Sequence, residues 1–222
     1  MTEQRPRFQW RLVLFLLSAV AIFAAAYILY ATLNTLQRLD VVEAERDTWQ
    51  RPDEVIRAMN VHAGNVVVDL GSGAGYFTLK LSRAVGERGQ VLAVDIRKLS
   101  LSFLWIRSAF RAPHNIRIIV GDQDNSHLPG SVDAILIANT YHEFENPGIM
   151  LRQCFRSLHP GGRLVIVDRA PVAGHHEVAV DVVEQELGRR GFEVMEKQDH
   201  FIERPDGDVW WLISARIGRI MP

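Results

Sequence analysis

A single cysteine, Cys154, stands among the 222 residues, so no intramolecular disulfide can form and the thiol content gives no support to an oxidising compartment. Cys154 follows Asn146-Pro147 on a helical pattern, where it reads as a small packed residue rather than a nucleophile. Net charge is also scarce: 25 Lys and Arg against 26 Asp and Glu leave −1, which is no basic field of the kind that holds phosphate backbones. Nucleic acid is therefore not expected as a partner. Metal ligands at a recognisable spacing are missing too. His175 and His176 are adjacent, but neighbouring residues do not share a helix face, and no cysteine or carboxylate cluster accompanies them, so no metal is expected. There are no repeats or low-complexity tracts. With 48% hydrophobic and 23% charged residues, the chain has room for one α/β domain and an appendage, not for two domains.

Charge is absent altogether from Leu12 to Leu33, 22 residues that as a helix would reach about 33 Å, enough to cross a hydrocarbon core of about 30 Å. Trp10 before it and Tyr27 and Tyr30 near its end suit the two interfaces of a bilayer. A buried core helix does not need so long an uncharged run. A cleaved signal peptide is the other alternative, with Arg5, Arg7 and Arg11 ahead of the run and Ala24-Ala25-Ala26 as a small-residue site. The run continues through Tyr27-Ile28-Leu29-Tyr30 beyond that site, which favours a retained single-pass anchor. The expected organisation is a tail over 1–11, a transmembrane helix over 12–33, a juxtamembrane linker or helix over 34–51, and a domain over 52–222. Arg5, Arg7 and Arg11 are balanced by Arg38, Arg46 and Arg51, so charge does not orient the anchor.

The domain is organised around Val66-Val67-Val68-Asp69-Leu70-Gly71-Ser72-Gly73-Ala74-Gly75-Tyr76, an apolar strand-type run that breaks into alternate glycines and resumes as a helix. A dinucleotide fingerprint would place its third glycine at position 76, which is Tyr76, and this weakens a nicotinamide or flavin reading. Downstream, apolar strand patterns over 91–95, 116–120, 132–138 and 163–168 alternate with helical runs near 75–85, 98–110, 147–158 and 176–190, which implies a parallel sheet covered on both faces. Phe192 to His200 and Val209 to Ile217 flank the turn-rich Arg204-Pro205-Asp206-Gly207-Asp208 and predict a hairpin. Trp210 and Trp211 must face opposite sides of that strand, so one is expected in the core and the other against substrate, membrane or solvent.

The spacing Asp69-x-Gly71-x-Gly73-x-Gly75, Asp95 ending the second strand, Gly121-Asp122 after the third, Ser131 to Asn139 and Leu158 to Asp168 together resemble the class I S-adenosylmethionine-dependent methyltransferases of small-molecule type, over about residues 46 to 217. The resemblance implies a Rossmann-like doubly wound α/β sheet, seven-stranded and mostly parallel with an antiparallel C-terminal hairpin. It implies S-adenosylmethionine as cofactor, with Gly71, Gly73 and Gly75 offering backbone N–H groups and Asp69 orienting the loop or the ligand's ammonium. Asp95, 24 positions after Gly71, would accept from the ribose hydroxyls, Asp122 from the adenine amino group, and Asn139 joins the cofactor-binding set. A segment before the first strand often covers the cofactor in this family, a role in which Trp49 competes with simple packing.

The loop Asn139-Thr140-Tyr141-His142-Glu143-Phe144-Glu145-Asn146-Pro147 lacks the Asn-Pro-Pro-Tyr of enzymes that methylate amino groups of nucleobases or glutamine. It resembles the Tyr-His-x-Phe loop of small-molecule methyltransferases, which implies His142 as general base and Tyr141 as a wall of the transfer site. Glu143 and Glu145 would bind a cationic substrate or lie exposed, and Asp168-Arg169 ends the fifth strand at the same rim. The expected function is methyl transfer to a small, lipophilic or membrane-associated acceptor, by a domain held on the cytosolic side where the methyl donor is made. The alternatives are a membrane-tethered cofactor-binding or assembly protein without turnover, and a nicotinamide-dependent oxidoreductase.

Overall fold

The computed structural model describes residues 6–112, 114–171 and 177–218. His175 and His176 lie outside the described residues. The chain divides into two compact units, Met1–Glu45 and Arg46–Pro222. The described residues of the first unit belong to α1, Pro6–Trp49, which takes in both the uncharged run and the polar stretch after it. From Trp10 to Tyr30 its large apolar side chains are exposed.

The second unit is a seven-stranded sheet of order β3-β2-β1-β4-β5-β7-β6, formed by β1 (Val66–Leu70), β2 (Gln90–Asp95), β3 (Ile116–Val120), β4 (Val132–Ala138), β5 (Leu158–Arg169), β6 (Phe192–Glu203) and β7 (Val209–Ile217). The first five strands are parallel, and β7 inserts antiparallel between β5 and β6. This is the doubly wound, Rossmann-like sheet with a C-terminal hairpin that the sequence predicts. The strand order reverses between β1 and β4, where an open α/β sheet leaves a crevice beyond its carboxyl ends.

Alternation along the strands divides the core. Val67, Val91 and Val165 face α2 (Pro52–Ala58) and α3 (Tyr76–Val85), whereas Val68, Leu92 and Leu164 face α5 (Pro147–Ser157) and α6 (Val180–Arg189). The helix α4 (Lys98–Arg111) covers the β2–β3 edge through Leu101 and Leu104 against Ala93.

Two expectations change here. Trp210 and Trp211 do face opposite sides, yet both are buried, because helices or the segment before β1 cover each face of the strand. Trp211 donates its indole N–H to the carbonyls of Arg169 and Val178, both at 3.0 Å. Trp210 packs on Trp49, ring centroids 5.6 Å apart. The fifth strand is also longer than expected, starting at Leu158 where the sequence suggests a turn, since Val132 pairs with Leu158 before the register shifts.

Candidate active site at the sheet's carboxyl edge

The glycine loop folds over the end of β2: the N–H groups of Gly71 and Ser72 both donate to the Val94 carbonyl, at 2.8 and 3.0 Å. Gly71 has φ +85°, and a Cβ there would run into the Thr140 side chain, so glycine lets the loops after β1 and β4 touch. Gly73, at φ +54°, differs in that a Cβ would meet nothing within 4 Å. It borders open space, which is where a ligand can approach the main chain. Gly75 then begins α3 as its N-cap, leaving first-turn N–H groups and the positive end of the helix dipole facing the loop. Arg107, buried on α4, donates to the Ala74 carbonyl at 2.6 Å and braces the loop from behind.

Asp95 is 4% exposed and ties this loop down. Its Oδ2 accepts from Gly73 N–H and its Oδ1 from Arg97 N–H, each at 2.7 Å. A carboxylate has more lone pairs than these bonds use, so Asp95 keeps acceptor capacity toward the cleft that it lines. That cleft opens beyond the carboxyl ends of β1 to β4, between the loops that follow them. Leu70, Ile96, Phe144 and Met150 give it apolar walls, and Asp122 and Gln123 polar ones. Asp122 is exposed and pairs with His127 at 2.8 Å.

On the other side of the switch point, Asn139 adopts φ +54°, a left-handed conformation asparagine tolerates, and donates its N–H to Val167 at 2.8 Å. Asn139 Oδ1 and Ser72 Oγ are buried without a hydrogen-bond partner among the described residues. Two unsatisfied polar atoms on the loops that meet at Gly71 and Thr140 suit a polar ligand there, since leaving such groups unpaired costs about 1–3 kcal/mol each. Asp69 is buried one turn away and accepts from the Thr78 hydroxyl at 2.5 Å. Burial pushes its carboxyl up to about 6, against the opposing pull of that bond. It acts on the start of α3 and is not among the cleft's lining residues.

His142 sits on a 3-10 turn, Tyr141–Glu143, and meets the end of β5. Its Nδ1 lies 2.8 Å from Asp168 Oδ1, and its backbone N–H donates to Asp168 Oδ2 at 3.1 Å. Asp168 is buried and also accepts from Arg169 N–H. This arrangement holds the proton on Nδ1 and leaves Nε2 as the free basic position. The bond to Asp168 raises the imidazole pKa above 6.5, opposed by burial. Tyr141, beside it, is buried in the core with Phe144 at 5.8 Å and its hydroxyl is pushed up to about 12 by burial. It supports the turn from behind, and neither Tyr141 nor His142 is among the residues that line the cleft. Thr140, Glu143 and Glu145 do line it.

The sequence reading missed Arg107, Thr140 and the pairing of Asp168 with His142. Arg107 carried a signal, as a cation continuing the inward stripe Leu101–Leu104 at helical spacing. Asp168 carried none, because its partner lies 26 positions away on the neighbouring strand's loop.

Residues 61–209 match the family described as a methyltransferase domain. The ubiquinone/menaquinone biosynthesis C-methyltransferase UbiE of Azotobacter vinelandii is 34% identical over 122 residues, 54% of this chain and 47% of that protein. The demethylmenaquinone methyltransferase of Oceanobacillus iheyensis is 23% identical over 148 residues, 66% of this chain and 60% of that protein. The chain thus spans about half the length of the curated relatives it matches. A SAM-dependent methyltransferase from Aquifex aeolicus superposes with a TM-score of 0.69 at 22% identity, covering 82% of this chain and 98% of that one. The [4+2]-cyclase SpnF superposes with a TM-score of 0.65 at 15% identity, covering 76% and 80%. Such identities speak for the fold alone. The family match includes the glycine loop, Asp95 and the loop after β4, and the chain belongs to the class I S-adenosylmethionine-dependent methyltransferases.

Proposed function

We propose that this protein transfers a methyl group from S-adenosylmethionine to a small lipophilic acceptor of the quinone-precursor type, at a membrane surface. The observation that carries the acceptor class is the similarity to enzymes named for ubiquinone and menaquinone biosynthesis. The uncharged run within α1 supports it, because a span-length helix would keep the site where such acceptors are concentrated. In this reading residues 1–11 are a tail, 12–33 the anchor, 34–51 a juxtamembrane segment and 52–222 the catalytic domain. The domain lies on the cytosolic face, where the methyl donor is made.

The cofactor supplies an electrophilic methyl group. The glycine loop of Gly71, Gly73 and Gly75 would receive its amino-acid part at the open space beside Gly73 and the first-turn N–H groups of α3, with Asn139 at that end and Asp69 bracing the start of α3 through Thr78. Asp95 accepts from the ribose hydroxyls and Asp122 from the adenine amino group, while Ile96, Phe144 and Met150 enclose the ring. His142 takes the acceptor's proton at Nε2, and Asp168 positions the imidazole and stabilises it once charged. For a phenolic ring this deprotonation makes the ring carbon nucleophilic enough to be methylated. Positioning in line with the methyl group contributes the larger part of the acceleration.

Incubating the full chain with methyl-labelled S-adenosylmethionine and fractionated membranes tests the reading: label should enter an organic-extractable compound. Tight cofactor binding with no label transferred to any fraction would support instead a tethered binding protein.

A further inference from the structure

Where β5 ends against the start of β7, three buried nitrogens have a hydrogen to donate and nothing to receive it. Trp49 Nε1, Arg169 Nε and Trp210 Nε1 are each enclosed without a hydrogen-bond partner among the described residues. They belong to one cluster. Arg169 lies opposite Trp210 in the β5–β7 register and sets its guanidinium over that indole, 5.2 Å from the ring centroid, and Trp49 packs on the same ring. Trp210 is 2% exposed, whereas Arg169 is only half-buried and forms the open side of the cluster. A buried donor left unpaired costs stability, and three of them in contact mark a place where an acceptor is missing.

The chemistry of these atoms selects the group that fits. An indole N–H and a guanidinium donate only, so a hydroxyl or an ammonium would turn a proton of its own toward donors, and the partner must be an oxygen that only accepts. Charge narrows it further. Arg169 makes no ion pair among the described residues, and the acids near it are engaged elsewhere. Asp168 turns to the other face of β5, where both its oxygens meet His142. Asp206 pairs with Arg204, which stacks over Trp49, and Glu177 has a partner of its own. A neutral carbonyl would satisfy the indoles and leave the guanidinium's charge unanswered, whereas a carboxylate answers both and matches the planar fork of arginine. Asp168 and Arg169 are consecutive, so His142 and the indole cluster flank the same strand end, one on each face.

We propose that Arg169, Trp49 and Trp210 bind a carboxylate carried by the methyl acceptor, across the end of β5 from His142. This rests on the aromatic acceptor proposed above and adds the substituent by which the protein selects it. The test titrates hydroxybenzoate, hydroxyacetophenone and cresol, each as its meta and para isomers, into the full chain in detergent, saturated with S-adenosylhomocysteine and followed by calorimetry. The better hydroxybenzoate isomer should bind at least about ten-fold tighter than any of the neutral rings. Arg169→Gln should bring the charged and neutral rings to similar affinity. Trp210→Phe, which keeps a ring and removes the N–H, should lose part of the preference, and retained S-adenosylhomocysteine binding shows that each variant is folded. Equal affinity for hydroxybenzoate and hydroxyacetophenone in the wild type, or a preference that survives Arg169→Gln, would overturn the proposal and leave the aromatic acceptor standing. If no ring binds while S-adenosylhomocysteine does, the aromatic acceptor fails and the proposal with it.

Discussion

His142 Nδ1 and Asp168 Oδ1 stand 2.8 Å apart, joining the loop after β4 to the end of β5 across two neighbouring parallel strands. The contact orients the imidazole against a buried carboxylate, as the base proposed above requires. Removing it with His142→Ala should lower turnover by about 10²–10⁴-fold and leave cofactor affinity nearly unchanged. Calorimetry for binding and a label-transfer assay for rate separate the two effects.

The pH dependence follows from the same contact. A base must be neutral to act, so the rate should fall on the acid side with an apparent pKa above the ordinary 6.5, the hydrogen bond to Asp168 having raised it. Asp168→Asn should move that limb to lower pH and slow the reaction. For stability the sign is opposite: the charged pair contributes fully below about pH 6.5 and its contribution fades as pH rises through the raised pKa. The melting temperature of His142→Ala should therefore trail the wild type most in acid and converge on it in alkali.

Cofactor binding should depend on the contact between Asp95 and the Gly73 backbone. Asp95→Ala removes both a ligand acceptor and the partner of Gly73 N–H, and should weaken binding by about 1–3 kcal/mol in calorimetry. Gly73→Val puts a side chain into the open space the ligand would occupy, in a backbone conformation that β-branched residues rarely adopt. Unaltered affinity in both variants would remove the assignment of the loop.

Asp69 makes a prediction about stability. Its folded pKa of about 6 exceeds the ordinary 3.8, so its contribution is intact below about pH 3.8 and is lost as pH rises through about 6. Asn in its place still accepts from Thr78 and never ionises. Asp69→Asn should stabilise the protein by about 1–3 kcal/mol at pH 7.5 and by little near pH 4, read by thermal unfolding. A lower melting temperature at pH 7.5 would count against the burial argument.

A retained anchor predicts that the full chain stays with membranes after alkaline carbonate extraction and keeps its original N-terminus. Loss of the residues up to Ala26 would identify a signal peptide instead. Protease added to right-side-out spheroplasts should spare the domain; digestion would reverse the orientation.

Most of the fold was legible because each parallel strand is a short apolar run ending in a functional turn, and such runs have few alternatives. Asp95 and the glycines were legible for the same reason, as local motifs. What escaped is set by pairing across strands: Asp168 becomes a partner of His142 only once β4 and β5 lie side by side. Trp210 and Trp211 could be assigned to opposite faces by alternation, but only the packing shows both faces covered. Tyr141, next to His142 in sequence, turns into the core because consecutive residues of a 3-10 turn point in different directions.

The most direct measurement is of S-adenosylhomocysteine released over time when the full chain is given S-adenosylmethionine bearing a deuterated methyl group together with reduced quinone precursors in vesicles. Methyl transfer predicts one S-adenosylhomocysteine for each acceptor molecule that gains the heavy methyl group, with both falling together in His142→Ala. Saturable cofactor binding with no S-adenosylhomocysteine formed and no acceptor gaining mass would contradict it.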